Sequence, residues 1–308
     1  MRLEVCFPGS LPRGAIPPRD EGGLRVRGRC AKLAAHAGLG LWLPATLDEQ
    51  LAMLLADLKW TDIAALPREM PIVVPIAALE QHGRHMPLFT DSLLLGEVVR
   101  RVSERLKERV LFTPLMWLGN SEHHLDFPGT MTASPRVYLD LLKDMVENFL
   151  FHGFQRIVLL NGHGGNIVPS QQALFEVRQK YRERNDLTLI SATYWTLGRN
   201  ATEGVPYSAP TFVQSRMGHA CEWETSMMLR LAPHLVGDYQ AASVVPQNDL
   251  FDPGHRAWIT KDRTETGHIG NPTPATAEKG EILFTRFAED ASRFLERVAN
   301  WDGKSALA

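Results

Sequence analysis

The sequence is poor in cysteine, and its three cysteines, Cys6, Cys30 and Cys221, lie far apart. No CxxC pair occurs, which excludes the zinc knuckles and disulfide frameworks that such pairs build. A few separated cysteines in odd number are typical of a protein kept in a reducing compartment. We therefore predict a cytoplasmic location.

The chain also lacks a strong net charge and a long apolar run. Its 33 basic and 35 acidic residues leave a formal net charge of -2. This balance gives no electrostatic reason to expect nucleic acid or an anionic membrane as a partner. No apolar stretch approaches the roughly 20 residues that a transmembrane helix needs. Pro8, Arg13 and the prolines at 17 and 18 also interrupt any apolar segment of a secretory signal.

The first 45 residues differ from the rest, because they are rich in Gly, Pro and Arg and show little periodic apolar pattern. Such a composition predicts a poorly ordered N-terminal extension over residues 1–45. The remaining residues, 46–308, are predicted to form a single domain.

From Thr46 onward, apolar residues recur first at helical spacing and then in short runs such as IVVPIA at 72–77. The predicted helices span residues 46–60, 91–107, 137–151, 168–181, 222–231 and 281–299. The predicted strands span residues 72–77, 110–115, 156–160 and 187–194. Alternation of strands with long helices predicts an α/β fold, with a mainly parallel sheet covered on both faces. Ligands of such sheets bind beyond the carboxyl ends of the strands.

Glu80 and His82 follow the first predicted strand, and Asp91 opens the next predicted helix. Side chains two residues apart in extended backbone point to the same side, so Glu80 and His82 are expected to converge. Two carboxylates and an imidazole suit a divalent cation. The alternative is that Asp91 caps its helix while Glu80 and His82 form a surface pair.

The stretch NGHGGN at 161–166 connects a predicted strand to a predicted helix. Its glycines allow close approach of a ligand, which makes Gly164 and Gly165 candidates for substrate contact. His163 is displayed at a strand end, and we interpret it as a metal ligand. An anion-binding nest of backbone amides is the alternative, although the stretch matches neither nucleotide-binding glycine motif.

A third cluster, His219, Glu222 and Glu224, lies at the start of a predicted helix. Acidic residues are favourable at a helix N-terminus without any further role. Cys221 within this cluster is interpreted as a buried structural cysteine rather than a nucleophile.

Three further residues are candidates for lining the pocket. His124 is adjacent to His123, and neighbouring histidines point in different directions, so only one is expected to face the site. Trp195 and Trp223 could provide a flat wall for a ring-shaped substrate, although buried aromatic residues more often belong to the core.

These motifs together resemble the creatininase-like amidohydrolase family, over about residues 71–231. The resemblance lies in EQHG at 80–83, TD at 90–91, FPGT at 127–130, NGHGGN at 161–166, and His219 with ETS at 224–226. It implies a three-layer α/β/α fold, two divalent ions (Zn, Mn or Fe) and hydrolysis of a C–N bond in a small molecule. It also implies a homo-oligomer, and a hexamer is one form that it allows.

Carried over by residue, the resemblance implies that Glu80, Asp91 and His163 hold one ion. His82 and Asp91 hold the other, so Asp91 bridges the two. Creatininases proper carry NGHxEN, whose glutamate binds the second ion, whereas this chain has Gly165 at that position. The chain therefore resembles the NGHGGN subgroup, and Glu224 is expected to supply the missing carboxylate, with Glu222 as the other choice.

The expected mechanism is attack by a water activated between the two ions on an amide or formamide carbonyl. His219 is expected to deliver a proton to the departing nitrogen, and Glu222 is the alternative. A metallopeptidase acting on a small modified peptide is the competing enzyme hypothesis. A non-catalytic small-molecule-binding protein on the same fold is the third.

Overall fold

The computed structural model describes residues 53–198, 212–251 and 253–303. The predicted extension at 1–45 lies outside these residues. The described residues all belong to one unit, residues 50–308. Its strands are β1 (Ile72–Ile76), β2 (Leu111–Phe112), β3 (Arg156–Asn161) and β4 (Thr188–Thr193). Its helices are α1 (Trp60–Ala65), α2 (Thr90–Leu106), α3 (Pro135–Phe151), α4 (Ile167–Lys180), α5 (Glu222–Leu231) and α6 (Ala277–Asn300).

The four strands form a parallel sheet in the order β2-β1-β3-β4. Strands β1 and β3 are central and completely buried, as strands in a parallel sheet covered by helices must be. In β1, Ile72, Val74 and Ile76 belong to one core cluster and Val73 to another. This division follows from the alternation of side chains between the two faces of a strand.

Helices cover both faces of the sheet. Helices α3 and α4 pack with Ile72, Val74 and Ile76 on one face, and α2, α5 and α6 pack with Val73 on the other. The predicted three-layer α/β/α fold is therefore confirmed. Within the described ranges, none of the helices combines the length and apolarity that crossing a bilayer requires.

The predicted helix at 46–60 is wrong over its described part. The backbone of Met53 accepts a hydrogen bond from Phe112 N at 3.0 Å, and Leu54 pairs with Phe112 as an isolated parallel bridge. Only a single 3₁₀ turn, Leu55–Asp57, follows before α1 begins at Trp60. Pairing with the sheet edge has overridden the helical spacing of the leucines.

Candidate metal centre

Glu80 and His82 lie just beyond the carboxyl end of β1, and both side chains are buried. The chain is tied there by a hydrogen bond from Glu80 N to Leu88 O at 3.0 Å. His82 Nδ1 donates to Glu80 O at 3.1 Å. Because a carbonyl can only accept, the proton of the neutral ring is on Nδ1, and Nε2 presents its lone pair to the site.

Asp91 lies in the first turn of α2 and turns its two carboxylate oxygens towards different histidines. Oδ1 is 3.0 Å from His82 Nε2, and Oδ2 is 3.0 Å from His163 Nδ1. The N-cap of α2 is Phe89, without a side-chain capping bond. Asp91 therefore does not cap its helix, and its carboxylate lies between two imidazoles.

His163 is held two residues beyond the end of β3. The Asn161 side chain accepts a hydrogen bond from His163 N at 3.0 Å and donates to His163 O at 2.7 Å. His163 Nε2 donates to Asn120 O at 2.9 Å, which leaves Nδ1 facing Asp91 and Glu80. A carbonyl partner on the outer nitrogen is the arrangement typical of metal-binding histidines.

The NGHGGN turn offers few free amides for an anion. Gly162 N donates to Ile76 O at 2.9 Å and Asn166 N donates to His163 O at 3.2 Å. Ile167 N donates to Gly164 O. Since His163 N is also occupied, the turn lacks the run of unpaired amides that an anion nest needs.

Gly165 has no room for a side chain. A Cβ placed there would lie 2.1 Å from Asn120 O and 2.5 Å from His163 Nε2. A glutamate at this position, as in NGHxEN, is therefore incompatible with this backbone. A carboxylate for a second ion must come from another element.

Glu224, in the first turn of α5, brings a carboxylate to the other side of His82. Its Oε1 lies 3.8 Å from His82 Nε2, and its Oε2 accepts from Cys221 N at 3.4 Å. Cys221 is completely buried, and burial raises the pKa of its thiol to about 12. This agrees with the interpretation of Cys221 as structural.

Glu222 is not in this cluster, contrary to its expected role as proton carrier or alternative ligand. It is completely buried, and Lys279 Nζ lies 2.5 Å from its Oε1. Its Oε2 accepts from the backbone N of Val213 and Gln214, each at 2.8 Å. Both oxygens are engaged, so Glu222 joins α5, α6 and the preceding loop.

Trp223 is likewise in the core rather than on the pocket wall. It is 2% exposed, its Nε1 donates to Gln214 O at 3.1 Å, and its ring contacts Phe212 and Phe287. The expectation that Trp223 contacts substrate is therefore not met. Trp195 does line the cavity.

His219 lies directly beside the cluster, with its ring centre 4.4 Å from that of His82. Its Nε2 donates to Gln81 O at 2.7 Å, and its Nδ1 lies 3.6 Å from Glu80 Oε1. Burial, together with the charge of His82, lowers the pKa of His219 to about 3. A neutral ring with its bare nitrogen inward can accept and return a proton.

Gln81, whose role was not predicted from the sequence, contacts two histidines of the cavity, His124 and His219. Its Nε2 lies 2.7 Å from His124 Nδ1 and donates to Gly267 O at 2.9 Å. Its Oε1 accepts from Gly83 N at 2.9 Å, which fixes the orientation of the amide. His124 is buried, and its Nε2 lies 3.4 Å from Glu80 Oε1. His124 therefore lines the cavity as expected.

The carboxylates of the cluster stabilise positive charge on the buried histidines beside them. Burial lowers the pKa of His163, but the negative charges of Glu80 and Asp91 outweigh it and raise that pKa to about 10. Burial is likewise outweighed at His82, where the charges of Asp91 and Glu224 hold the pKa well above its ordinary value. Glu80, Asp91 and Glu224 thus favour positive charge within the cluster.

The donor set fits divalent metal ions. Glu80 Oε1, Glu80 Oε2 and Asp91 Oδ2 are buried and have no hydrogen-bond partner among the described residues. His163 Nδ1 lies close to two of these oxygens, but without the geometry of a hydrogen bond. Buried carboxylate oxygens without donors are costly unless a cation binds them. Glu80, His82 and Asp91 form one group able to hold an ion, and His82, His219 and Glu224 form another.

The cluster forms the floor of a cavity of about 620 Å³. Gly164 and Gly165 line it, as expected from the sequence. Trp258, Arg216 and Arg263 also line it, although none of the three was predicted from the sequence. They lie in irregular segments whose spacing to the motifs carries no periodic signal.

A family model described as creatinine amidohydrolase matches residues 56–295. The mycofactocin precursor peptide peptidase of Mycobacterium tuberculosis (strain CDC 1551 / Oshkosh) is 30% identical over 247 residues, covering 77% of this chain and 88% of that protein. The creatinine amidohydrolase of Pseudomonas putida is 28% identical over 250 residues, covering 75% and 92%.

Solved creatininase structures share the fold. The Mn form superposes with a TM-score of 0.67 at 26% identity, covering 80% of this chain and 98% of the other. A mutant creatininase of the Zn-Zn type gives 0.66 at 25% identity, covering 79% and 97%. The chain therefore belongs to the creatininase family, as a hydrolase whose clustered side chains could hold two metal ions.

Proposed function

We propose that this chain is a two-metal amidohydrolase. Glu80, Asp91 and His163 would hold one ion, and His82, Asp91 and Glu224 would hold the other. The observation that carries this proposal is the carboxylate of Asp91, which turns one oxygen towards each histidine at 3.0 Å. A carboxylate shared in this way is the feature that a two-ion site requires and that a single ion pair does not.

When bound, the two ions supply Lewis acidity that activates water and polarises the substrate carbonyl. With the ions bound, the carbonyls of Glu80 and Asn120 would hold His82 and His163 with their inward nitrogens unprotonated and free to coordinate. His219 Nδ1 accepts a proton at the cluster and returns it to the departing nitrogen. The contact of its Nε2 with Gln81 O keeps that tautomer in place.

The favoured substrate class is a cyclic amide or formamide of a small molecule. A cavity of about 620 Å³ lies in the range of small-molecule sites. Creatinine itself is less favoured, because Gly165 replaces the glutamate of creatininases proper and the backbone there admits no side chain. The ion environment would therefore differ from that of creatininase.

A metallopeptidase acting on a small modified peptide is the second candidate. It is supported by relatives at 30% identity that are named mycofactocin precursor peptide peptidases. The cavity is also open to solvent, so that a short chain could enter beside Trp195 and Trp258.

We further propose that the enzyme acts in the cytoplasm and as a homo-oligomer. The scarce, separated cysteines support a reducing compartment. The described surface carries large exposed apolar residues, including Phe151, Val168 and Phe175, which a partner subunit could cover.

Hydrolysis assays with the Zn- and Mn-loaded enzyme test the proposal, using creatinine, N-formyl and cyclic amides, and short peptides. We expect turnover of at least one amide class, and loss of that turnover in Asp91→Ala and His163→Ala. Arg184→Gln, a change outside the cavity, is the matched control and should retain activity. Undiminished turnover in both cluster variants would contradict the scheme.

A further inference from the structure

Two arginines on the cavity wall are fixed in position by neutral groups. Arg263 donates through Nη2 to Pro246 O and Gln247 O, both at 3.0 Å, and its guanidinium lies 5.3 Å from the centre of the Trp258 ring. Arg216 donates through Nη2 to Asn248 Oδ1 at 2.5 Å. Among the described residues, each guanidinium uses one nitrogen for these contacts, and its other nitrogens have no hydrogen-bond partner.

Neither arginine has a carboxylate within 4.0 Å among the described residues, whereas many arginines outside the cavity do. Arg256 pairs with Asp249 at 2.8 Å, and Arg101 pairs with Glu281 at 2.7 Å. The carboxylates on the cavity floor form no ion pair with Arg216 or Arg263, because these carboxylates face histidines instead. Among the described residues, neither guanidinium is therefore neutralised by a direct ion pair, although Asp249, which pairs with Arg256, lies near enough to Arg263 for the two charges to interact.

A planar guanidinium fork matches a carboxylate in shape and charge, and such charge-assisted contacts are among the stronger hydrogen bonds. The proposed ions occupy the floor, so a group recognised by the wall arginines lies away from the bond that is cut. Trp258, supported by contact with His123 at a ring distance of 5.4 Å, adds an aromatic surface beside Arg263.

We propose that the substrate carries a carboxylate, remote from the scissile amide, which Arg216 and Arg263 bind. This inference rests on the proposed amidohydrolase function and narrows its substrate class to acylated amino acids and related amide acids. The two arginines would select substrates that carry a carboxylate, whereas the residues on the floor of the cavity would carry out the hydrolysis.

The test uses hippurate and hippuramide, which share an aromatic ring and an internal amide and differ only in the terminal carboxylate. Binding to the Zn-loaded protein is measured by calorimetry for the wild type and for Arg216→Gln/Arg263→Gln. We expect the wild type to prefer hippurate by roughly tenfold or more. The double variant should lose that preference to within about threefold.

Arg182→Gln/Arg184→Gln removes the same charge outside the cavity and should keep the wild-type preference. If the cavity double variant fails to fold, the single change at the exposed Arg216 should still lower the preference. A preference that persists without both arginines would assign the carboxylate to the metal ions and overturn the inference. Equal binding of the two compounds by the wild type, or no binding of hippurate at millimolar concentration, would also overturn it.

Failure of this inference is distinguishable from failure of the proposed function. Metal content and turnover of neutral amides report on the floor of the cavity, and the hippurate preference reports on its wall. A protein that holds its ions and hydrolyses neutral amides, yet does not prefer hippurate, would retain the function and lose the inference.

Discussion

Replacing Gly165 by alanine is a small change that the structure predicts to be damaging. The added Cβ would lie 2.1 Å from Asn120 O and 2.5 Å from His163 Nε2, both well inside van der Waals contact. These two atoms form the 2.9 Å hydrogen bond that orients His163. The effect is steric, because Gly165 is not among the glycines with positive φ.

The expected magnitude has two parts. Overpacking of this kind costs about 1–3 kcal/mol of stability. Disturbing the outer partner of a metal-binding histidine lowers metal affinity by about 10–100-fold. We therefore expect Gly165→Ala to bind zinc about 10–100-fold more weakly than the wild type and to unfold at a lower temperature.

The assay is zinc titration against a competing chelator, combined with thermal unfolding of the metal-free protein. Gly164→Ala is the matched control, because a Cβ at Gly164 has no atom within 4 Å among the described residues. It should leave zinc affinity unchanged and shift stability by no more than about 0.5 kcal/mol. Equal zinc affinity in Gly165→Ala and Gly164→Ala would refute the reasoning.

Three further predictions concern neighbouring groups. Lys279→Met leaves Glu222 buried without its cation, so the free energy of unfolding measured with denaturant should fall by about 3–5 kcal/mol. The metal content per folded chain should be unchanged. Loss of metal would instead indicate that Glu222 belongs to the metal site. Gln81→Leu should lower kcat by about 10–100-fold with metal content intact, because His124 loses a side-chain partner at its Nδ1 while the backbone carbonyl that holds His219 remains. Wild-type kcat would contradict this. Burial, with the charges of His268 and His82, lowers the pKa of His85 to about 4, below the unfolded value of about 6.5. The unfolded chain therefore binds more protons than the folded chain between these pH values, and the stability of the metal-free protein should fall by about 2 kcal/mol on acidification from pH 6.5 to 4. His85→Gln should reduce this dependence of stability on pH. An unchanged dependence in His85→Gln would show that another group causes it.

The architecture was predictable because apolar periodicity and strand position dominate an α/β fold. Helix α5 was predicted with the correct ends, and α2, α3 and α4 to within two residues. Helix α6 begins at Ala277, four residues before the predicted start, because Thr276 caps it by accepting from Lys279 N. A helix start predicted from apolar spacing alone does not take account of such a capping residue.

The predicted strand at 110–115 was too long, since β2 contains only Leu111 and Phe112. Pro114 cannot donate to a sheet ladder, which limits the strand. The predicted helix at 46–60 is wrong over its described part because Leu54 pairs with Phe112, a long-range contact that no local pattern reveals.

At the candidate site, the positions of the motifs predicted most of the residues that come together, but not the direction in which each side chain points. The structure brings Glu80, His82, Asp91, His163 and Glu224 together, and their roles as ligands stay predictions. Glu222 and Glu224 are alike in sequence terms, but on α5 they are two residues, or about 200°, apart. They therefore face different neighbours, Lys279 for the former and His82 for the latter.

The cavity wall was the least predictable part. Arg216, Trp258 and Arg263 come from segments without regular structure, and they meet only because α5 and the turn around Ile269 bring their flanking segments together. A hydrogen bond from His219 N to Ile269 O at 2.9 Å joins these two segments. Such long-range pairings leave no mark in the local sequence.

Metal content tests the two-ion site most directly. Elemental analysis of the purified, Zn-loaded protein and of Glu224→Ala, after removal of free metal, compares the two occupancies. The account predicts about two ions per chain in the wild type and about one in Glu224→Ala. No bound metal in the wild type, or two ions retained without Glu224, would contradict it.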